Sequence, residues 1–195
     1  MNPEVSPASV GARRASLTQS RAVRRGIAIG LGTLLVALSA QVVVPVPFSP
    51  VPMTLQPLAV LAVGGLLGAG GGVSALLLYI VLGALGLPVF AGGGSGILRL
   101  LGPTGGYLLA FPIAAGATGA LTGRVPRSVL RVLLACALGM VIIHAGGVAQ
   151  LALLGGDPAL AMRVGFVPFL TGDLLKVGLA AALILAAGPR VRSLL

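Results

Sequence analysis

The chain has 195 residues, of which 57% are hydrophobic and only 8% are charged, and its mean hydropathy is +1.11. A soluble domain carries about a quarter charged residues, so the composition excludes an ordinary soluble domain and predicts that nearly all of the chain lies in lipid. The net charge of +10 comes mostly from arginines that flank apolar runs without interleaved aromatic residues, which argues against nucleic-acid binding.

Basic residues at the start of the chain predict a disordered cytoplasmic tail over residues 1–22, followed by one membrane domain over residues 23–192. Arginines then recur in two further places. The three clusters are Arg13, Arg14, Arg21, Arg24 and Arg25 before the first apolar run, Arg124, Arg127 and Arg131 in the middle, and Arg190 and Arg192 near the end. If all three face the cytoplasm, the positive-inside rule places both termini inside and requires an even number of crossings.

Recurring apolar segments predict an all-α integral membrane protein with six transmembrane helices, cytoplasmic N- and C-termini and a ligand pocket toward the outer face. The predicted spans are 26–44, 55–70, 72–88, 105–122, 128–150 and 166–188. The second and third spans are short and separated only by glycines, so they either tilt or form a hairpin.

The first span contains small residues four positions apart, a spacing that lets another helix approach closely. These residues are Gly26, Ala28, Gly30 and Gly32. They are explained either by packing within the protein or by contact with a partner helix. The stretch 26–38 also resembles a cleavable signal peptide, but its removal would delete one of the six spans and break the charge count.

The connection 45–54 has a proline at nearly every second position, which fixes φ and favours stiff, extended backbone over helix. Two interpretations stay open. The segment is either a rigid connector between helices or a preshaped lid over a cavity.

The connection 89–104 contains four glycines within residues 92–96, which allow its backbone to approach a ligand closely. It is not a phosphate-binding P-loop, because that motif requires a lysine and the lysine of this chain, Lys176, lies elsewhere. Arg99 supplies a positive charge that suits a carboxylate or, alternatively, anchors the connection to lipid headgroups.

Reactive side chains are too few for an enzyme. The chain has one histidine, His144, one cysteine, Cys136, and three acids, Glu4, Asp157 and Asp173. These provide no metal cluster, no paired carboxylates and no evident nucleophile with a base, so no resident cofactor or metal is expected. Cys136 is expected to serve packing alone. His144 either lines a cavity or makes an interhelical hydrogen bond.

Asp173 and Lys176 place opposite charges three residues apart within the last apolar span. At that spacing they share a helix face, and ionisable residues within a membrane span usually mark a functional site. They form either a buried ion pair that fixes the helix or the polar part of a ligand site. Together with Arg99, the pair would give the ligand site one net positive charge, which suits a monoanion. The apolar walls of this site would be formed by Phe48, Phe90, Tyr107 and aliphatic residues.

Four motifs in this order resemble the BioY family, the biotin-specific substrate-binding subunits of energy-coupling-factor (ECF) transporters. They are VPVPFSPVPMTLQP at 44–57, GLPVFAGG at 86–93, GPTGGYL at 102–108 and PFLTGDLLK at 168–176. The resemblance runs from about residue 26 to residue 188.

The resemblance implies a six-helix protein of a prokaryotic-type cytoplasmic membrane that binds biotin from outside with high affinity. A transmembrane coupling subunit and two ATPases would complete the uptake complex, which agrees with the missing P-loop. The implied biotin-binding residues are Asp173, Lys176, Arg99, Tyr107, Phe90, Gln56 and Gly93, and the first helix would meet the coupling subunit. Alternatives are a binding subunit for another vitamin, a secondary transporter, for which internal repeats are not visible, and an intramembrane enzyme.

Overall fold

The computed structural model describes residues 7–123 and 128–195, with side chains from residue 21 onward. Helix α1 (Pro7–Ser39) is followed by two short strands, β1 (Val43–Val44) and β2 (Met53–Thr54). The later helices are α2 (Gln56–Ala84), α3 (Leu98–Leu101), α4 (Gly105–Thr122), α5 (Val129–Gly155), α6 (Pro158–Gly165) and α7 (Leu170–Leu194), with 3₁₀ turns at Ala91–Gly93 and Val167–Phe169. The prediction of an all-α protein is confirmed, since the two-residue strands are the only β-strands in the described part of the chain.

Five helical segments of the described chain are long and apolar enough to cross a membrane. They are Arg21–Ser39, Gln56–Ala84, Gly105–Thr122, Val129–Gly155 and Pro158–Leu194. The protein is therefore a multi-pass membrane protein, as its composition predicts.

Helix α2 is a hairpin of two antiparallel arms, 56–67 and 69–84. Gly68 has φ 78° and ψ 175°, a backbone conformation that only glycine readily adopts. The side-chain amide of Gln56 donates to the hydroxyl of Tyr79 at 2.6 Å, whereas 23 residues of straight helix would separate them by about 35 Å. Of the two arrangements considered for the second and third spans, tilted helices or a hairpin, the structure has the hairpin.

The arms of α2 correspond to the second and third predicted spans. Their lengths are about 18 and 24 Å, shorter than the hydrocarbon core of about 30 Å. The number of six crossings therefore stays a prediction.

The bundle has two distinct ends. At the loop end lie the connections 45–54, 89–104 and 156–169, which contact one another around a cavity. The turn at Gly68, the end of α4 and the start of α5 lie at the opposite end, called the arginine end here because Arg131 and Arg192 bind backbone carbonyls there.

The sequence predicted that the three arginine clusters share one side, and the placement of Arg131 and Arg192 agrees with this. Arg124 and Arg127 lie outside the described residues. The orientation of the bundle in the membrane stays a prediction.

Arg192 ties three helices together at the arginine end. Its guanidinium donates to the carbonyls of Gly65 and Leu66 and, at 2.8 Å, to the hydroxyl of Thr122. The two carbonyls belong to the last turn before Gly68, where helix carbonyls lack intrahelical partners. Arg192 thus caps the first arm of α2 and joins it to α4 and α7.

Close contact between α4 and α5 depends on two glycines that face each other. A Cβ on Gly146 would lie 2.6 Å from the carbonyl oxygen of Gly106, so a larger residue would push the helices apart. This contact brings Tyr107, next to Gly106, and His144, close to Gly146, to the same side of the bundle.

Residues 151–165, which lie between the fifth and sixth predicted spans, are largely helical. Helix α5 continues to Gly155, and α6 starts after Asp157, whose carboxylate accepts hydrogen bonds from the backbone N–H groups of Ala159 and Leu160. An aspartate followed by proline is an ordinary helix start.

The predicted division of the chain at residue 22 stays a prediction. Residues 1–6 of the tail lie outside the described residues. The backbone from Pro7 onward belongs to α1.

Gly68→Ala is expected to lower the melting temperature of the purified protein in detergent. A Cβ in this backbone conformation costs about 1–3 kcal/mol, and the hairpin leaves no other conformation available. Gly70→Ala is the matched control, because Gly70 has an ordinary φ and open space around its Cβ position. Equal melting temperatures for the two variants would contradict a strained turn at Gly68.

Candidate functional site

A cavity of about 400 Å³ lies at the loop end. Its walls come from residues 50–57, from the connection 90–104 and from α4, α5 and α7, so segments distant in sequence meet around it. Most of the wall is apolar. The ionisable side chains that line it are Arg99, Tyr107, His144, Asp173 and Lys176.

Asp173 is the centre of a buried ionic cluster in the cavity wall. Its Oδ1 accepts a hydrogen bond from the Lys176 ammonium at 2.9 Å, and its Oδ2 lies 2.6 Å from Nε2 of His144. Asp173 and Lys176 are each 6% exposed. Lys176 comes from the next turn of α7, whereas His144 comes from α5, so the carboxylate is held from two helices.

His144 is fixed on its other side by the end of α6. Its Nδ1 lies 3.2 Å from the carbonyl oxygen of Gly165, which also accepts a hydrogen bond from the Tyr107 hydroxyl at 2.6 Å. The rings of Phe166 and Tyr107 meet the imidazole edge-on, with centroids 5.0 and 6.0 Å away. Both functions considered for His144, cavity lining and an interhelical hydrogen bond, are therefore present.

Arg99 lines the cavity from α3 and is exposed. Its guanidinium lies against Gly94, where a Cβ would come within 2.9 Å of Nε. It has no hydrogen bond or ion pair with another described residue, so its donors are available to a ligand. Gln150 of α5 holds α3 in place by donating to the carbonyls of Leu100 and Gly102 at 3.0 and 2.6 Å.

The aromatic wall is built on Phe90, which is buried and packs edge-on against Tyr79 with centroids 5.5 Å apart. Gln56 also lines the cavity, but both ends of its amide already have partners, the hydroxyls of Tyr79 and Thr54. Gln56 therefore links β2 to the second arm of α2.

Two residues predicted near the ligand lie away from the cavity lining. Gly93 is exposed in the 3₁₀ turn, and its contact with a ligand stays a prediction. Phe48 is 98% exposed with φ 66° at the tip of the proline-rich connection. The expectation that Phe48 forms part of the cavity wall was wrong, because the β1–β2 pairing carries residue 48 outward.

The proline-rich connection covers one side of the cavity. Val43 pairs with Thr54 and Val44 with Met53, which brings the two ends of the connection together. Pro50, Val51 and Pro52 line the cavity. The Ser49 hydroxyl donates to the carbonyl of Val164 at 2.7 Å, which fastens the connection to α6.

The small residues of α1 divide between two faces. Gly32 is buried against α2, where a Cβ would lie 3.1 Å from a methyl group of Val63, and Ala28 is half-buried. Gly26 and Gly30 are exposed, with open space around them. Contact of these residues with a partner helix stays a prediction.

Sequence reasoning did not include His144, Gln150 and Ser49 among the site residues. A polar side chain within an apolar span is the available signal for His144 and Gln150, because such groups require a partner. No sequence signal identifies the partner itself. Within the described residues, no group of His, Cys, Asp and Glu side chains is suited to hold a metal.

Comparison with known proteins identifies the family. The model of the BioY family matches residues 11–193. This chain belongs to the BioY family. It is 40% identical over 159 residues to the probable biotin transporter BioY of Pyrococcus horikoshii, covering 81% of this chain and 93% of that protein. It is 39% identical over 163 residues to the biotin transporter BioY of Thermotoga maritima, covering 84% and 95%.

A solved structure has the same fold. The structure of this BioY chain matches the crystal structure of the S-component for biotin from an ECF-type ABC transporter with a TM-score of 0.78 and 24% identity, covering 84% of this chain and 90% of the other. The predicted family is confirmed, and so is the prediction of a transport protein rather than an enzyme, because the matched relatives are transporters.

Asp173→Asn is expected to destabilise the protein by about 3 kcal/mol, because it leaves the Lys176 ammonium buried without its anion. The double variant Asp173→Asn with Lys176→Met is expected to be more stable than Asp173→Asn alone. Melting temperatures of the ligand-free proteins in detergent measure both effects. Leu174→Ala is the control on the same helix, since Leu174 is 75% exposed and points away from the cluster. If the double variant were less stable than Asp173→Asn, because the two losses of stability add, the residues would not form a coupled pair.

Proposed function

We propose that this BioY chain binds biotin in the cavity at the loop end and is the substrate-binding subunit of an ATP-driven vitamin uptake system in the cell membrane. The observation that carries the proposal is the combination, in one cavity of about 400 Å³, of apolar walls, the Asp173–Lys176 pair and the available guanidinium of Arg99. Relatives that cover most of this chain are named biotin transporters.

The polar end of the cavity suits the ureido ring of biotin, which offers two N–H donors and one carbonyl. Each carboxylate oxygen of Asp173 has two lone pairs and uses one for His144 or Lys176, so each can accept a further N–H. The Lys176 ammonium has three N–H groups and uses one for Asp173, which leaves donors for the ureido carbonyl.

The apolar bicycle and valeryl chain of biotin would lie against Phe90, Tyr107 and the aliphatic walls, with Gln56 as part of the same wall. Arg99 would bind the carboxylate, for which a guanidinium provides a bidentate partner. The pocket therefore supplies a partner for each part of the ligand.

Entry and release would require movement of the proline-rich connection. It forms one wall of the cavity and is fastened to α6 through Ser49 and Val164. We infer that this connection opens as a stiff lid to admit biotin from outside and closes over it with high affinity.

ATP hydrolysis would come from partner ATPases joined through a transmembrane coupling subunit. The sequence contains no P-loop lysine, so the chain cannot supply this activity by the P-loop mechanism. Gly26 and Gly30 on the exposed face of α1 offer a surface that another helix can approach closely. Reorientation of the binding subunit in the complex would then open the cavity inward.

The wild-type protein is expected to bind biotin in preference to thiamine and riboflavin. Asp173→Asn and Lys176→Ala are each expected to weaken biotin binding by about tenfold or more, since each removes a hydrogen bond of a charged group. Isothermal titration calorimetry of the purified protein measures these affinities, and Leu174→Ala should bind as tightly as wild type. Preference for another vitamin would overturn the assignment to biotin.

Arg99→Ala is expected to weaken biotin binding by about tenfold or more and to leave the binding of biotinamide nearly unchanged, because biotinamide lacks the carboxylate. The comparison separates a direct charge contact from a general disturbance of the connection 89–104. An equal loss for both ligands would exclude the carboxylate as the partner of Arg99.

A further inference from the structure

We propose that Gln150 is a positioning residue, which holds helix α3 in the place where the guanidinium of Arg99 can bind the carboxylate of the ligand. Gln150 would thereby determine how strongly the cavity prefers a carboxylate to an uncharged amide at this end of the ligand. The inference rests on the proposed function and extends it to a residue outside the described lining of the cavity.

Helix α3 is too short to hold Arg99 in place by itself. It has four residues, Leu98–Leu101, and the last four carbonyls of any helix lack partners within that helix. Arg99 therefore belongs to a segment whose carbonyls need partners from elsewhere. A single helical turn is also unstable on its own in water, so the position of α3 depends on its contacts with the rest of the bundle.

The side-chain amide of Gln150 provides two of these partners. Its Nε2 donates to the carbonyl of Leu100 at 3.0 Å and to that of Gly102 at 2.6 Å. These carbonyls lie one and three positions after Arg99, so α5 holds the end of the helical turn that carries the guanidinium. An amide nitrogen has two N–H groups, and both are used here. Gln150 therefore acts on a ligand through α3 and not by a hydrogen bond of its own.

Two glycines of the motif 102–108 give Gln150 access to these carbonyls. A Cβ on Gly105 would lie 2.7 Å from Nε2 of Gln150, and a Cβ on Gly106 would lie 2.7 Å from the Cβ of Gln150. A larger residue at either position would displace the side chain, because such close contacts do not occur in packed proteins. The adjacent glycines are thus required for the contact between Gln150 and α3.

The guanidinium of Arg99 is placed by α3 on one side and by the connection 89–104 on the other. A Cβ on Gly94 would lie 2.9 Å from Nε and 3.0 Å from Cζ of Arg99, so the guanidinium lies directly against the backbone of Gly94. It makes no hydrogen bond or ion pair with another described residue. A displacement of α3 would therefore move the N–H groups that a carboxylate needs in a bidentate arrangement.

The preference of the protein for biotin over biotinamide tests the inference. Gln150→Met keeps the length of the side chain and removes both N–H groups, so it is expected to weaken biotin binding by about fivefold or more and biotinamide binding much less. Isothermal titration calorimetry of the full chain in detergent measures both affinities. Leu153→Ala is the control on the same helix, since Leu153 is 86% exposed, and it should keep the wild-type preference.

The double variant Arg99→Ala with Gln150→Met tests whether Gln150 acts through Arg99. It is expected to bind biotin about as weakly as Arg99→Ala alone, because no guanidinium is left to position. Additive losses of affinity, or equal losses for biotin and biotinamide in Gln150→Met, would overturn the inference. Gln150→Asn, whose amide is one methylene group too short for the two carbonyls, replaces Gln150→Met if that variant does not fold. An unchanged preference in the folded variant would overturn the inference as well.

The mobility of α3 provides a measurement that needs no biotin. A nitroxide spin label is attached through Leu98→Cys in a Cys136→Ala background, because Leu98 is 77% exposed and lies next to Arg99 on α3. Addition of Gln150→Met is expected to give a more mobile electron paramagnetic resonance spectrum than addition of Leu153→Ala. Identical spectra would show that Gln150 does not hold α3 and would overturn the positioning role.

The outcomes separate this inference from the proposed function. Failure of the wild type to bind biotin would overturn the proposed function, whereas the spin-label spectra would still decide whether Gln150 holds α3. A preference for biotin that falls in Arg99→Ala but not in Gln150→Met would leave the proposed function standing and overturn this inference alone.

Discussion

The structure depends on keeping the carboxylate of Asp173 inside an apolar helical bundle. A buried charge costs several kcal/mol unless it is paired and hydrogen-bonded. Here one partner, Lys176, comes from the same helix, and the other, His144, comes from α5. The pairing therefore fixes how α5 and α7 are placed relative to each other.

The hydrogen bonds of the ionic cluster continue into the backbone of α6. His144 is held by the Gly165 carbonyl, which also binds Tyr107 of α4, and α4 contacts α5 through Gly106 and Gly146. The neighbouring carbonyl of Val164 binds Ser49 of the proline-rich connection. The last turn of α6 thus joins the ionic cluster to the proline-rich connection through adjacent peptide groups.

The sequence was sufficient to predict the long helices and the position of Asp173 and Lys176 on one helix face, because both follow from local patterns. Apolar runs predicted the long helices, and the glycines around Gly68 left a tilted or a hairpin arrangement for the second and third spans. An acid and a lysine three residues apart in an apolar span predicted that their charges share one helix face. The partnership of His144 with Asp173 could not be predicted, since it joins residues 29 positions apart and depends on how α5 and α7 are packed. The outward position of Phe48 likewise follows from strand pairing that spans only two residues on each side.

The charges at the loop end have a kinetic consequence. Among the described residues there, Arg99 and Arg163 are exposed cations, whereas the carboxylate of Asp157 is occupied by the backbone at the start of α6. A concave, weakly polar surface with an excess of positive charge attracts small anions and speeds their diffusional encounter, an effect that dissolved salt screens. An anionic ligand would therefore reach the cavity faster in dilute surroundings than at high salt, before it contacts the deeper polar groups.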